Sequence, residues 1–236
     1  MTEYLIITPV KNSIETTLES ARAIKTARGT NRHIIYNDFS TTENKDLLEQ
    51  HQAEIGYELV HLEDITDTPS PNYRLVLQII QQKALELNVP LILVESDVIV
   101  KPETLNELYK RSQTLENCGM IASITVDTEG NVNFPYLKFK SEKKPIVTTR
   151  HSLSFCCTLL TPSFLKKFSF QNLSSEKDWY DVFISHQSTK LGFRNYVCMD
   201  LPVVHKPHSS RPWKMLKYTN PLKYYFLKYT RGKDRI

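Results

Sequence analysis

Glycine is scarce in this chain of 236 residues: there are six, Gly29, Gly56, Gly119, Gly130, Gly192 and Gly232, and no two lie closer than eleven positions. G-x-G-x-x-G and the P-loop need paired glycines to bring backbone N–H groups to a phosphate, and G-x-S-x-G needs them to turn a nucleophile elbow. A Rossmann dehydrogenase, a P-loop kinase and an α/β-hydrolase are all disfavoured on this ground. Cysteine is sparse too. Cys118, Cys156, Cys157 and Cys198 include an adjacent pair and no C-x-x-C, which suits neither a zinc site nor a disulfide framework and reads as reduced core residues of a cytoplasmic protein. No apolar run approaches the ~18 residues of a membrane span. Met1 to Val10 lacks the basic start and small-residue cleavage site of a signal peptide. The expectation is a compact, soluble protein that is not exported, in which the Asn172-Leu173-Ser174 sequon is a chance match.

Apolar residues make up 40% and charged residues 24% of the chain, a globular profile within the size of one α/β domain. The net charge of +4 hides an asymmetry. Lys206 to Ile236 holds nine Lys and Arg against one Asp, which leaves the rest of the chain net acidic by four. The sequence therefore divides into a main unit, 1–205, and a basic, aromatic tail, 206–236, expected to be helical.

Tyr4 to Val10 is a β-branched, apolar run of the buried-strand kind. Asn12 with Glu15 has the capping-box spacing, Ile14, Leu18, Ala21 and Ile24 recur at helical intervals, and Gly29 suits a helix stop. His33 to Tyr36 reads as a second strand. Helices follow near Asn44 to Ile55, Asn72 to Leu87 and after Pro102, with strands at Tyr57 to Leu62 and Leu91 to Val94 between them. Such alternation implies a mostly parallel sheet with helices on both faces. Strands are then expected at Met120 to Val126, Val132 to Phe139 and Ser154 to Leu160, a helix at Asp178 to Leu191 and a strand at Arg194 to Met199.

Ligands of open α/β sheets sit beyond the carboxyl ends of the strands, so the polar residues there are the candidates. Glu95-Ser96-Asp97 follows a buried strand directly, and two carboxylates one residue apart share a face of extended backbone. Paired hard oxygens are what Mg²⁺ or Mn²⁺ takes; the alternative is an acidic turn cap. His205, after Leu201 to Val204, is either structural or a further ligand to an ion held by Asp97. Asp178 and Asp181 open a helix whose apolar stripe is expected to be Trp179, Val182, Phe183 and His186. Acids there either serve the helix dipole or act as a general base in a cleft. Asp38 either makes an Asx-turn or accepts from a base or ribose.

Taken in order, these landmarks resemble the family 2 glycosyltransferases, which have the GT-A fold. Thr8-Pro9-Val10-Lys11-Asn12 is similar to the family's first-strand turn, and Asn37-Asp38-Phe39-Ser40 to the Asp-Asp-Gly-Ser-type end of its second strand. Glu95-Ser96-Asp97, with Pro102 beyond, stands where the family has Asp-x-Asp before a proline-started helix. Lys177 to Val182, Gly192 and His205 stand where it has Glu-Asp-x-Asp-Leu, a glycine, a strand and a histidine. Asn37, Phe39, Glu95 and Lys177 depart from the family pattern.

The resemblance implies a Rossmann-like, mixed but mostly parallel sheet flanked by helices. It further implies an inverting transfer of sugar from a nucleoside diphosphate sugar to a glycan or lipid-linked acceptor in cell-surface polysaccharide assembly. Thr8, Pro9, Asn12, Asp38, Glu95 and Ser96 would then hold the nucleotide, Asp97 and His205 a Mg²⁺ or Mn²⁺ ion, and Asp178 or Asp181 would be the base. The rival is a non-catalytic sugar-nucleotide-binding or assembly protein that keeps the fold. A sugar-phosphate nucleotidyltransferase would need a glycine-rich amino-terminal loop that this sequence lacks. No nucleic-acid partner is expected. The tail, which mixes Lys214, Lys217, Lys223 and Lys228 with Trp213, Tyr218, Tyr224, Tyr225 and Phe226, either packs on the sheet or lies on an anionic membrane surface at the inner face.

Overall fold

The computed structural model describes residues 3–175, 179–206, 216 and 220–230. Along the chain run β1 (Leu5–Val10), α1 (Ile14–Ala27), β2 (Arg32–Asn37), α2 (Thr42–Ile55), β3 (Glu58–His61), α3 (Tyr73–Leu87), β4 (Leu91–Val94), β5 (Val98–Ile99), α4 (Thr104–Thr114), β6 (Cys118–Val126), β7 (Ile146–Thr149), β8 (Cys157–Leu160), α5 (Pro162–Lys167), α6 (Tyr180–Lys190), β9 (Arg194–His205) and α7 (Pro221–Thr230). The strands form a single sheet in the order β3-β2-β1-β4-β8-β6-β9-β5, with β7 on β9. β1, β2, β3, β4, β6 and β9 point one way, and β5, β7 and β8 the other. The sheet is therefore mixed and mostly parallel, as its alternating pattern of strands and helices requires.

Side chains alternate across a strand, so each central strand feeds two cores. Leu5, Ile7, Leu91 and Leu93 pack with Val76, Leu77 and Ile80 of α3 and Ile184 of α6. Tyr4, Ile6, Ile92 and Val94 face Ile24 of α1 and Leu105 and Leu108 of α4. The outcome is a three-layer α/β/α body. Gly119 in β6 permits the close approach of α6: a Cβ there would run into Ser188 Oγ and Phe193 Cβ.

Several local expectations are corrected. Asn12 does not cap α1, whose N-cap is Ser13 and lacks a side-chain cap bond. Asn12 sits instead at φ 53°, a left-handed conformation its short amide tolerates. Its N–H donates to Ser40 Oγ at 2.9 Å and its Oδ1 accepts from Thr41 N–H at 2.8 Å, which ties the loop after β1 to the loop after β2. Val132 to Phe139 is not a strand. Val132 makes one bridge to Val126, Pro135 has no N–H for a ladder, and Leu137–Phe139 is a 3₁₀ turn.

On α6 the buried residues are Tyr180, Ile184, Ser185 and Ser188. Trp179, Val182 and Phe183 are half-buried and His186 is exposed, so the expected stripe is rotated: Tyr180 supplies the anchoring ring. The last strand runs on from Met199 to His205, with its register against β6 shifted between Cys198 and Val203. Among the described residues, no helix is long and apolar enough to cross a membrane.

Candidate functional site

Two strand pairings assemble the site at the carboxyl end of β4. β4 pairs with β8 so that Val94 lies opposite Cys157, and Glu95 N–H donates to the Cys156 carbonyl at 3.0 Å. β5 pairs with β9 so that Val98 lies opposite His205, and Lys206 N–H donates to the Asp97 carbonyl at 2.9 Å. Glu95-Ser96-Asp97 is not extended, as the spacing alone suggests, but a turn closed by Val98 N–H donating to the Glu95 carbonyl at 3.1 Å. The turn still keeps both carboxylates within reach of one another.

Asp97 and His205 are buried, and Asp97 Oδ2 lies 3.4 Å from His205 Nε2. His205 Nδ1 donates to the Phe134 carbonyl at 2.7 Å, and Asn133 Nδ2 donates to the His205 carbonyl at 2.9 Å. The carbonyl fixes the tautomer, so Nε2 turns its lone pair, or a second proton, toward the carboxylates. Burial pulls the His205 pKa down, but the hydrogen bond and charge of Asp97, with Glu95 behind, outweigh it and leave the group raised. Burial and then the charge of Asp97 raise Glu95. Cys156 donates its thiol to Glu95 Oε2 at 3.2 Å, and ligand atoms of Glu95, Cys156 and His205 all lie within 4.8 Å of one another.

These residues fit a divalent cation. A buried imidazole whose Nδ1–H is held by a backbone carbonyl is the usual outer-sphere arrangement of a metal-binding histidine, and here it leaves Nε2 facing Asp97. A cation between the groups would also relieve the repulsion that raises Glu95. Asp181, half-buried in the first turn of α6, joins this neighbourhood electrostatically, since its charge adds to the upward shift of Glu95 and of Tyr136. Its Oδ1 accepts from Val182 N–H at 2.8 Å. Asp178 lies outside the described residues.

The other side of the edge holds the remaining candidates. Thr8 is buried within β1, its hydroxyl 3.0 Å from His33 Nε2. Pro9 pairs with Tyr36 in the same ladder, and Ser96 is buried in the turn. Asp38 does not turn onto its own backbone. Its Oδ2 accepts from Ser70 Oγ and Asn72 N–H, both at 2.8 Å, and its Oδ1 from Asn72 Nδ2 at 2.9 Å, so this carboxylate clamps the entry to α3. Cys156, Phe134, Ser70 and Asn72 escape a reading of the sequence. Their roles come from register between distant strands and loops, and the adjacent cysteines look like ordinary core.

No family model and no curated protein matches the chain. Solved structures do resemble it. TarS 1-349 of S. aureus in complex with UDP has a TM-score of 0.64 at 16% identity over 92% of this chain and 64% of that one. The mannosyltransferase PcManGT from Pyrobaculum calidifontis, with GDP-Man and Mn²⁺, has 0.62 at 14% identity over 97% and 64%. GalNAc-T7 with UDP, GalNAc and Mn²⁺ has 0.62 at 12% over 87% and 44%. The chain spans 39% of a longer TarS structure. The fold is thus the GT-A fold of nucleotide-sugar glycosyltransferases.

Proposed function

We propose that the protein is a glycosyltransferase that moves a sugar, with inversion, from a nucleoside diphosphate sugar to the hydroxyl of a glycan or lipid-linked acceptor in cell-surface polysaccharide assembly. The observation that carries this reading is the β5–β9 register, which sets a tautomer-fixed His205 against Asp97 beside Glu95. Asp97 and His205, with Glu95 adjoining, would hold a Mg²⁺ or Mn²⁺ ion. The imidazole suits Mn²⁺ better than Mg²⁺, which demands oxygen ligands more strictly. The chemistry such an ion supplies is neutralisation of charge on a departing diphosphate.

Asp181, whose charge reaches Glu95, takes the acceptor proton as the sugar is displaced; Asp178 is the other candidate for that role. Asn12 and Asp38, on the tied loops after β1 and β2, and Thr8, Pro9, Glu95 and Ser96 at the strand ends border the nucleotide. The neighbours bound to UDP and GDP-Man support a nucleotide-sugar donor.

The departures of Asn37, Phe39, Glu95 and Lys177 from the family pattern support a second reading, a sugar-nucleotide binder without turnover. Release of nucleoside diphosphate from a panel of UDP- and GDP-sugars, with and without Mn²⁺, tests both. Mn²⁺-dependent release supports the transferase. Nucleotide binding with no release from any sugar assigns the chain to the binder.

A further inference from the structure

α7 carries its large apolar side chains outward. Leu222, Tyr225, Phe226 and Tyr229 are 86%, 47%, 65% and 79% exposed, whereas Tyr224 is buried. At about 100° per residue, the four exposed side chains fall within an arc of about 100°, with Tyr224 on the opposite side. Lys223 and Lys228 stand about 60° beyond the two edges of that arc. The helix, Pro-Leu-Lys-Tyr-Tyr-Phe-Leu-Lys-Tyr-Thr, has no acid, and the segment from Lys206 onward has one acid against nine bases. Ile65, Leu87 and Leu191, the other exposed large apolar residues among those described, come from separate elements. The patch therefore belongs to α7.

A helix normally turns its apolar stripe to the core, as α3 does with Val76, Leu77 and Ile80. A stripe turned to water calls for cover from outside the fold. An uncharged groove on another protein would cover the apolar side chains but give no role to lysines on both flanks. An anionic bilayer uses both: leucine and phenylalanine enter the boundary of headgroups and acyl chains, tyrosines sit at headgroup level, and lysine stems carry their charges up to lipid phosphates. α7 spans ten residues, too few to cross a bilayer and enough to lie on one. We propose that α7 docks the protein in the plane of an anionic lipid surface through Leu222, Tyr225, Phe226 and Tyr229, with Lys223 and Lys228 on lipid phosphates.

The full chain is sedimented with vesicles of phosphatidylcholine alone and of phosphatidylcholine with phosphatidylglycerol, at low and high salt, without donor sugar. Its outcome is thus separate from that of the sugar-transfer reading. The wild type is expected to pellet with the anionic vesicles only, and less so at high salt. Lys223→Gln with Lys228→Gln should weaken partitioning about five-fold per lysine, and Leu222→Gln with Phe226→Gln and Tyr229→Gln should abolish it. Both variants should melt as the wild type does, because none of the altered side chains is buried. Binding by the apolar-face variant equal to wild type, equal binding to neutral vesicles, or no binding by the wild type would each overturn the proposal. Self-association of the wild type that the apolar-face variant loses would also overturn it, and would give the stripe to a second copy of the chain.

Discussion

His205 Nε2 lies 3.4 Å from Asp97 Oδ2 although the two residues are more than a hundred positions apart. The antiparallel β5–β9 pair holds them so: Val98, next to Asp97, is opposite His205 in register, and the Lys206 N–H closes on the Asp97 carbonyl. A two-residue strand does little for the sheet as a whole. Its consequence here is local, because it brings the carboxyl end of β4 and the carboxyl end of β9 to one point.

The proposed cation site is tested through that pair. Sugar transfer should require a divalent ion, and Asp97→Asn should lower Mn²⁺ affinity and turnover by more than the ~10–100-fold that loss of an outer-sphere partner costs. Titration calorimetry with Mn²⁺ and the nucleoside diphosphate release assay measure the two effects. Full turnover in excess EDTA would remove the ion from the mechanism.

The base is tested on α6. A general base contributes ~10²–10⁴-fold, so Asp181→Asn should lower kcat by that order while nucleotide affinity stays near wild type. Asp178→Asn is the paired control: a larger loss there than in Asp181→Asn would move the role to Asp178.

Much of this architecture was legible in the chain. The runs at Tyr4 to Val10 and Leu91 to Val94 read as buried strands, β1 and β4 form there, and β4 leads straight into Glu95 and Asp97 as its composition suggests. Asp97 and His205 each stand beyond an apolar run, but that pattern leaves His205 as readily structural; the family resemblance paired them, and the β5–β9 register sets their 3.4 Å contact. Cys156 and Phe134 were not legible, because their roles depend on which strands are neighbours, and hydrophobic pattern is silent on β8 sliding between β4 and β6. Asn12 misled for a related reason: its spacing to Glu15 satisfies a local rule, while a contact with Ser40 and Thr41 decides its conformation.

The cysteines give a chemical test of the same packing. Burial pushes Cys118 and Cys157 up to about 12 and Cys198 to about 11. Cys156 goes well above the usual thiol range through burial and then the charge of Glu95. The thiolate is the reactive form, so iodoacetamide near neutral pH should leave all four unmodified in the folded protein and alkylate them in denaturant, as read by mass spectrometry. Early, selective alkylation of Cys156 would mean that the Glu95 edge opens to solvent.

His33 should govern acid stability. It is buried between β1 and β3 with Nε2 on Thr8 Oγ1, and burial, reinforced by the charge of Arg28, lowers its pKa from 6.5 to about 3. The unfolded chain takes up a proton at this histidine below pH 6.5 while the folded chain does so only near pH 3. Unfolding is therefore favoured progressively as pH falls through that window, by up to ~1.4 kcal/mol per pH unit, and the contribution is flat above it. The lowered carboxylates Glu58 and Asp200 slope the same way, so wild type must be compared with His33→Gln, in which only this proton is missing. At neutral pH the variant should be less stable, by the ~1 kcal/mol of an altered buried hydrogen bond and repacking. As pH falls below 6.5 the gap should close and then reverse, as measured by urea unfolding at a series of pH values. Parallel pH profiles for the two proteins would show that His33 gains its proton in the folded state without penalty.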